Sequence, residues 1–272
     1  MKMLGKMLTY SGLSILVLLF LLPFIWMVTT AFKSLGETLI FPPVWIPESL
    51  LWENFVEAWQ SGPFLSYIIN SVLVSVGILI LQMCTIIPAA YAFARYRFKG
   101  DRFLFGLTMI TLMIPAQLIF LPVFLQMSAW SLLDTLWALI LPFASSAFGI
   151  FMLRQNFKQV PEELLEAARL DEASELKIMW KIMIPIAKPV LITFALFSFI
   201  AHWNDYFWPL VMTTSDTSRT LPLGIAALRQ VESGVSWNLL MAGNVILVLP
   251  ILIAFFFAQR QIIRAFVYTG VK

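Results

Sequence analysis

Residues 161–189 read PEELLEAARLDEASELKIMWKIMIPIAKP, and ten of these 29 residues are Lys, Arg, Asp or Glu. The chain as a whole has 272 residues, of which 60% are hydrophobic and only 12% charged. A polar, helix-forming segment of this kind cannot sit in lipid, so it must project into water or dock on a soluble partner. The runs on either side of it are apolar and long enough to cross a bilayer, which takes about 20 helical residues. The fold class that follows is an all-α, polytopic membrane protein.

Six transmembrane spans are expected, near residues 11–32, 67–94, 103–126, 134–153, 189–211 and 241–264. The apolar stretch Leu13 to Val28 exceeds the roughly 7–15 residues of a signal core, and Thr29-Thr30-Ala31 is a poor cleavage site, so 11–32 reads as an uncleaved first span. Residues 1–272 then form a single transmembrane domain, with the polar segment inside a loop at 154–188. Basic residues set the orientation. With both termini inside, 15 of the 18 Lys and Arg fall on the cytoplasmic side, and only Lys33, Arg219 and Arg229 fall outside. The opposite orientation inverts that ratio. The charged segment is therefore cytoplasmic. The larger external loops, 33–66 and 212–240, carry Trp45, Trp52 and Trp59 in the first of them. These tryptophans suit either headgroup depth or an external docking surface.

Within the polar segment, Pro161 followed by Glu162-Glu163 is a helix-start signal, with proline at the first helical position and acids in the first turn. Leu164, Leu165, Ala167 and Ala168 make a small apolar face, which Asp171-Glu172-Ala173-Ser174 interrupts. Ser174 can cap a second helix from Glu175 that runs through Ile178, Met179 and Ile182 toward Pro185 and Pro189. The pattern is a helix-turn-helix outside the membrane. Its alanines suit insertion into a cleft; an amphipathic helix resting on the membrane surface satisfies the same pattern.

Catalytic chemistry finds no support. No G-x-x-x-x-G-K-[ST] phosphate loop occurs, so the chain has no recognisable means of binding ATP. A single histidine, His202, and a single cysteine, Cys84, argue against a metal centre and exclude an internal disulfide. The basic residues flank membrane spans and need no nucleic acid to explain them. Inside the spans, Asn204 and Asp205 are the most notable polar pair, set among Trp203, Tyr206, Phe207 and Trp208. An acid at this depth normally faces protein or water. Aromatic rings and carboxylates could line a carbohydrate path, or the pair could be a structural contact between helices. Asn244, Gln82, Gln117, Ser145 and Ser146 are weaker candidates of the same kind. Pro115, Pro122 and Pro142 would kink the third and fourth spans and free carbonyls.

Glu166-Ala167-Ala168, then Asp171, Ala173, Ile182 and Pro185, resemble the EAA loop of the permease subunits of binding-protein-dependent ABC importers. Tyr91-Ala92-Phe93-Ala94-Arg95-Tyr96 with Lys99-Gly100, and Trp203 through Leu210, look like the carbohydrate branch. The ending, Phe266 to Lys272, is similar to the smaller, maltose-type G half. The resemblance extends through most of the chain, and it implies a multi-pass subunit of a bacterial or archaeal cytoplasmic (inner) membrane. It implies as partners a second, related permease, two copies of a cytoplasmic ATPase carrying ATP and Mg, and an extracytoplasmic solute-binding protein. No cofactor is implied for the chain itself. The residues implied to meet the ATPase are Leu164, Leu165, Glu166, Ala167, Ala168, Asp171, Glu172 and Ala173, with the tail 265–272 as a secondary contact. Trp203, Asn204, Asp205, Tyr206 and Asn244 are the candidates for the substrate pathway. The substrate implied is a sugar or oligosaccharide, with glycerol phosphate or another polyol derivative as the alternative. A self-sufficient secondary transporter or channel is the competing class, supported only by Asp205. The family usually has glycine where this chain has Glu172, so glutamate there implies a less sharp turn or a strained one.

Overall fold

A computed structural model describes residues 2–230 and 235–267, and among these it contains helices and connecting turns without a strand. In chain order the helices are α1 (Lys2–Ala31), α2 (Leu35–Leu39), α3 (Glu53–Gln60), α4 (Phe64–Arg95), α5 (Asp101–Thr111), α6 (Phe120–Ala129), α7 (Leu136–Ile140), α8 (Ala147–Lys158), α9 (Glu162–Leu170), α10 (Glu175–Ile178), α11 (Ile184–Trp203), α12 (Phe207–Met212), α13 (Leu221–Ala227) and α14 (Trp237–Val267). Short 3-10 turns cover Ala116–Leu118, Leu141–Phe143 and Leu228–Gln230, and a π-helical turn, Met179–Met183, joins α10 to α11.

Among the described residues four helices are long and apolar enough to cross a membrane: Thr9–Ala31, Phe64–Arg95, Glu175–Trp203 and Trp237–Gln261. The helix that carries the expected fifth span starts at Glu175, because the π turn lets it run unbroken from well inside the loop expected at 154–188. It ends earlier than 211, at Trp203, and restarts as α12 after a break at 204–206. The expected third and fourth spans are each broken. Pro115 disfavours helical backbone at the residue before it and stands extended between α5 and the next turn. Pro122 lies in the first turn of α6, where a missing N–H is tolerated. Pro142 sits in the 3-10 turn between α7 and α8, and the two arms, Leu136–Phe143 and Ala147–Lys158, are bent by 41°.

A break in an apolar helix leaves carbonyls without helical partners, and where water is excluded these must be satisfied by protein. Two side chains of α4 do so. Gln82 Nε2 donates to the Phe143 carbonyl at 3.1 Å, and the Thr85 hydroxyl donates to Ala144 at 2.9 Å. Gln82 Oε1 in turn accepts the Ser198 hydroxyl of α11 at 2.5 Å. Ser146 caps α8 by accepting the Gly149 N–H at 3.2 Å. Gln82, Ser145 and Ser146 therefore stand at or beside a helix break, where Gln82 and Ser146 serve the backbone directly.

The chain divides into two compact units. One comprises Met1–Ser66 with Leu221–Pro250. In it Ala31, Ala58 and Ala242 are fully buried, so helices approach closely. Asn54 donates to the Ala31 and Lys33 carbonyls at 2.9 and 2.8 Å and accepts from Asn238 at 2.9 Å, closing the C-terminus of α1. Lys33 is buried, its ammonium 4.0 Å from the Trp26 ring centroid and donating to the Val44 carbonyl. Glu37 anchors the loop that follows, accepting from Ser34 N–H at 2.7 Å and Glu48 N–H at 2.8 Å.

The second unit comprises Tyr67–Thr220 with Ile251–Lys272. One of its cores joins Ile86 and Ala90 of α4, Leu153 and Phe157 of α8, Leu165 of α9 and Ile178 and Met183 of the fifth span. Gly149 lets α8 into this packing: a Cβ there would lie 2.5 Å from Ile86 and 2.7 Å from Phe194. The other core gathers Val74, Ile78, Leu139, Ile140, Trp208 and Met212. Asp134 closes that end, its Oδ1 accepting from Thr214 N–H at 2.8 Å, from Ser215 N–H at 3.0 Å and from the Ser218 hydroxyl.

Candidate functional site

The polar segment folds as two helices separated by a tight turn. Pro161 is the residue before α9 rather than its first member, with extended backbone (ψ 137°), and Glu162 and Glu163 occupy the first turn. The C-terminus of α9 closes by two reversed hydrogen bonds, Glu172 N–H to Arg169 at 3.0 Å and Ala173 N–H to Ala168 at 3.0 Å. This Schellman closure places Glu172 at the position that favours glycine, and its φ is +55°. Of the two outcomes implied by a glutamate here, the strained turn is the one the chain adopts. Ser174 then caps α10, accepting the Lys177 N–H at 3.4 Å.

One face of α9 is held against the second unit's core. Leu165 is fully buried there and Ala168 packs beside it. Glu163, Leu164, Glu166, Ala167 and Leu170 stay exposed, as do Asp171 and Glu172 beyond them, and Ala173 is half-buried. The expected apolar face therefore splits. Leu165 and Ala168 point into the protein, while Leu164 and Ala167 share the free face with Leu170, which is 85% exposed. Leu170 was not among the candidates, although a leucine beside so many charges is itself a signal.

A polar network fixes the orientation of α9. Arg95, at the end of α4, donates to the Phe157 and Val160 carbonyls at 2.5 Å each and pairs with Glu162 at 2.9 Å. Its side chain is only 8% exposed. Arg169 pairs with Glu162 at 3.1 Å and Glu175 at 3.0 Å, and Tyr91 donates to the other oxygen of Glu175 at 2.5 Å. Glu175 and then Glu162 hold the Arg169 guanidinium above its ordinary pKa through these hydrogen bonds. Burial and the neighbouring Glu175 likewise push the Tyr96 phenol up. The stretch Tyr91 to Tyr96 is thus joined to α9 and α10 by side chains 60 or more positions apart in sequence. Their types are readable in the sequence; their pairing is not.

The candidate polar pair sits at the break of the fifth span. Trp203 is fully buried and stacks on Phe199, with centroids 5.5 Å apart. Asn204 ends α11, exposed, its side-chain amide donating to the Ile200 carbonyl at 2.9 Å. Asp205 is half-buried and accepts the Trp208 N–H of α12 at 3.3 Å. Tyr206 is exposed beside them. Asn204, Asp205 and Tyr206 therefore share one non-helical corner, with their polar atoms partly engaged in capping. Asn244 belongs to the other unit, where it donates to the Leu240 carbonyl of its own helix at 2.8 Å. His202 lies beside Phe143, with centroids 4.8 Å apart. Among the described residues no group of three His, Cys, Asp or Glu could hold a metal ion. Residues 268–272 of the tail lie outside the described residues.

Comparison with known proteins agrees with this architecture. Residues 86–268 match the family model of binding-protein-dependent transport system inner membrane components. The arabinooligosaccharides transport system permease protein AraQ of Halalkalibacterium halodurans is 37% identical over 238 residues, covering 87% of this chain and 84% of AraQ. The sn-glycerol-3-phosphate transport system permease protein UgpE of Yersinia pestis is 32% identical, with 86% of each chain covered. In the crystal structure of a bacterial ABC transporter involved in the import of the acidic polysaccharide alginate, one chain superposes with a TM-score of 0.81 at 26% identity, covering 94% of this chain and 96% of that one. A family match over most of the chain, relatives at this identity and the shared fold lead to one conclusion: the chain belongs to the family of binding-protein-dependent transport system inner membrane components.

Proposed function

We propose that this chain is the permease subunit of an ATP-driven ABC importer and moves a sugar or oligosaccharide inward by alternating access. The observation that carries the reading is α9: a short polar helix whose outer face is free while its inner face is locked to the protein core through Leu165 and the Arg95–Glu162–Arg169–Glu175–Tyr91 network. A helix held in this way transmits a push as a rigid lever. Glu166, Ala167, Leu164, Asp171 and Glu172 would meet the ATPase cleft, with Leu170 as an added knob, while Leu165, Ala168 and Ala173 set the helix on its base. ATP binding must favour one permease state over the other for the lever to do its task. ATP and Mg belong to the two partner ATPases, since this chain has no phosphate loop; the chain itself carries no cofactor and no catalytic role.

In this reading residues 1–272 form one permease domain of the inner membrane with six crossings and both termini cytoplasmic. The α5–α6 and α7–α8 pairs each make one broken crossing, and the 15 inward basic residues support the orientation. A second permease completes the pore, and a solute-binding protein delivers substrate to the external loops around Trp45, Trp52 and Trp59, which are all exposed. Asn204, Asp205 and Tyr206, at a break where irregular backbone is tolerated only against protein or a water-filled cavity, are the proposed contacts for sugar hydroxyls together with Trp203; Asn244, of the other unit, is proposed as a pathway residue in its own right. Glycerol phosphate is the second substrate reading, favoured by the UgpE relative.

The test is purification in gentle detergent with identification of the co-purified proteins, followed by reconstitution. Recovery of a phosphate-loop ATPase and a second permease, with ATP-dependent uptake of a sugar delivered by the solute-binding protein, supports the reading. Transport by the chain alone, driven by an ion gradient, overturns it. Uptake of glycerol phosphate in preference to sugars selects the second substrate.

A further inference from the structure

The ends of α4 and α8, the turn at 96–100 and the start of α5 enclose a cavity of about 730 Å³. Arg97, Lys99, Arg102, Arg154 and Lys158 line it, against the one acid Asp101. Among the described residues none of these five cations enters an ion pair. The nearby Glu162 and Glu175 are taken by Arg95 and Arg169, and Asp101 accepts the Arg102 backbone N–H at 2.6 Å. Arg154 is half-buried and fixed: its Nε donates to the Phe93 carbonyl at 3.0 Å, and its guanidinium lies 3.8 Å from the Phe105 ring centroid. The positive end of α5 opens at the same place, after Gly100 in left-handed backbone (φ 87°).

A second cavity, of about 510 Å³, shares Phe93 with the first and follows α5 and α8 past Leu104, Leu107, Thr108, Ala147 and Ile150. The 11 residues of α5 rise roughly 1.5 Å each, so this groove leads from the basic cavity about 15 Å into the apolar layer. Phe103, Leu107 and Ile110 of the same helix are exposed, as suits contact with lipid. A basic cavity on the cytoplasmic side that continues into an apolar groove matches the two ends of a phospholipid; a free phosphate would fill only the first, and an acidic protein surface would leave the second empty.

We propose that the two cavities form one binding site for an anionic phospholipid of the inner leaflet, with its phosphate among Arg97, Lys99, Arg102, Arg154 and Lys158 and an acyl chain along α5. The proposal rests on the inward orientation given above, and on neither ATP nor sugar transport.

Native mass spectrometry of the full chain, with whatever subunits co-purify, read after release from nanodiscs of phosphatidylglycerol and phosphatidylcholine, tests it. Phosphatidylglycerol should be retained in preference, and R102Q/R154Q should lower that retention by about tenfold while phosphatidylcholine carry-over is unchanged. The exposed pair R97Q/K99Q should give the same direction and stands in if the first pair fails to fold. Equal retention of the two lipids, or unchanged retention in both variants, overturns the proposal. Displacement of the lipid by millimolar inorganic phosphate would show a small-anion site instead, and loss of a co-purified protein without loss of lipid would show a protein contact; either result also overturns it. Lipid retention is read on the chain with or without partners, so a failure of the importer reading leaves this outcome legible.

Discussion

At the scale of single residues, Glu172 shows a residue's own backbone preference yielding to the closure of a helix end. The Schellman closure of α9 requires left-handed backbone at this position, which costs a non-glycine residue roughly 1–2 kcal/mol. Glu172→Gly is therefore expected to raise resistance to thermal unfolding by about 1 kcal/mol after its larger unfolded-state entropy is counted. Unfolding in detergent followed by near-UV circular dichroism measures this, and a lower midpoint would contradict the account. Glu37 offers a pH-dependent case. The N–H groups of Glu48 and Ser34 hold its carboxylate below the ordinary glutamate value. A depressed folded pKa stabilises the loop above the unfolded value near 4.5 and loses that stabilisation as pH falls through the folded value. Exchange of the Glu48 amide should accelerate as pH falls below the ordinary glutamate value and through the depressed one, beyond its intrinsic trend, and Glu37→Gln should remove the extra pH dependence.

At the scale of elements, the broken helices are explained by what stands opposite them. The bend between α7 and α8 survives because Gln82 and Thr85 of α4 take the carbonyls that it frees, and because Gly149 allows α8 close to Ile86 and Phe194. Gly149→Val would overfill that contact, and a loss of about 1–3 kcal/mol is expected; the apparent melting temperature of the purified chain measures it, with Gly106→Val, at an open site, as the control. The element α9 separates two kinds of apolar residue that look alike in sequence. Leu165 faces inward and Ala167 outward. Ala167→Arg should leave the chain folded yet lower ATP-driven uptake by roughly tenfold or more, since an unpaired charge buried in a docked face costs on the order of 2 kcal/mol or more. Uptake at the normal rate by this variant would remove α9 from the ATPase contact.

At the scale of the whole molecule, the arrangement of charge matters more than its amount. The net charge of +3 is small. Yet nearly all the basic residues fall on the side proposed to face inward, and seven of them divide into a set held in hydrogen bonds and ion pairs and a set without an ion pair among the described residues. Arg95 and Arg169 are consumed in holding α9, whereas Arg97, Lys99, Arg102, Arg154 and Lys158 remain around a cavity. The first set serves the proposed lever and the second the proposed lipid site. Neutralising Arg169 as Arg169→Met should thus reduce coupled uptake with little change in retained phosphatidylglycerol, and R102Q/R154Q should do the reverse; uptake assays and native mass spectrometry on the same preparations separate the two.

The sequence by itself determined the class of this protein: apolar runs of span length admit only helices in lipid, and the distribution of Lys and Arg is the ground for proposing that the polar segment faces inward. It also located α9, the Ser174 cap and two prolines at which helices break, Pro115 and Pro142, because caps and proline act through the few residues beside them; Pro122, expected to kink as well, falls in the first turn of α6 instead. The three-dimensional structure alone decided that Glu175–Trp203 is one helix, that Glu172 is strained, that Leu165 is core, and that Arg95, Glu162, Arg169, Glu175 and Tyr91 meet. The strain at Glu172 and the unbroken helix follow from how a helix end and a π turn close locally, whereas the burial of Leu165 and the meeting of Tyr91 and Arg95 with Glu175 and Glu162 depend on which groups lie opposite one another across long sequence separations. A helix period restricts such pairings without selecting among them; packing selects, because a buried donor or acceptor left without a partner is too costly to keep.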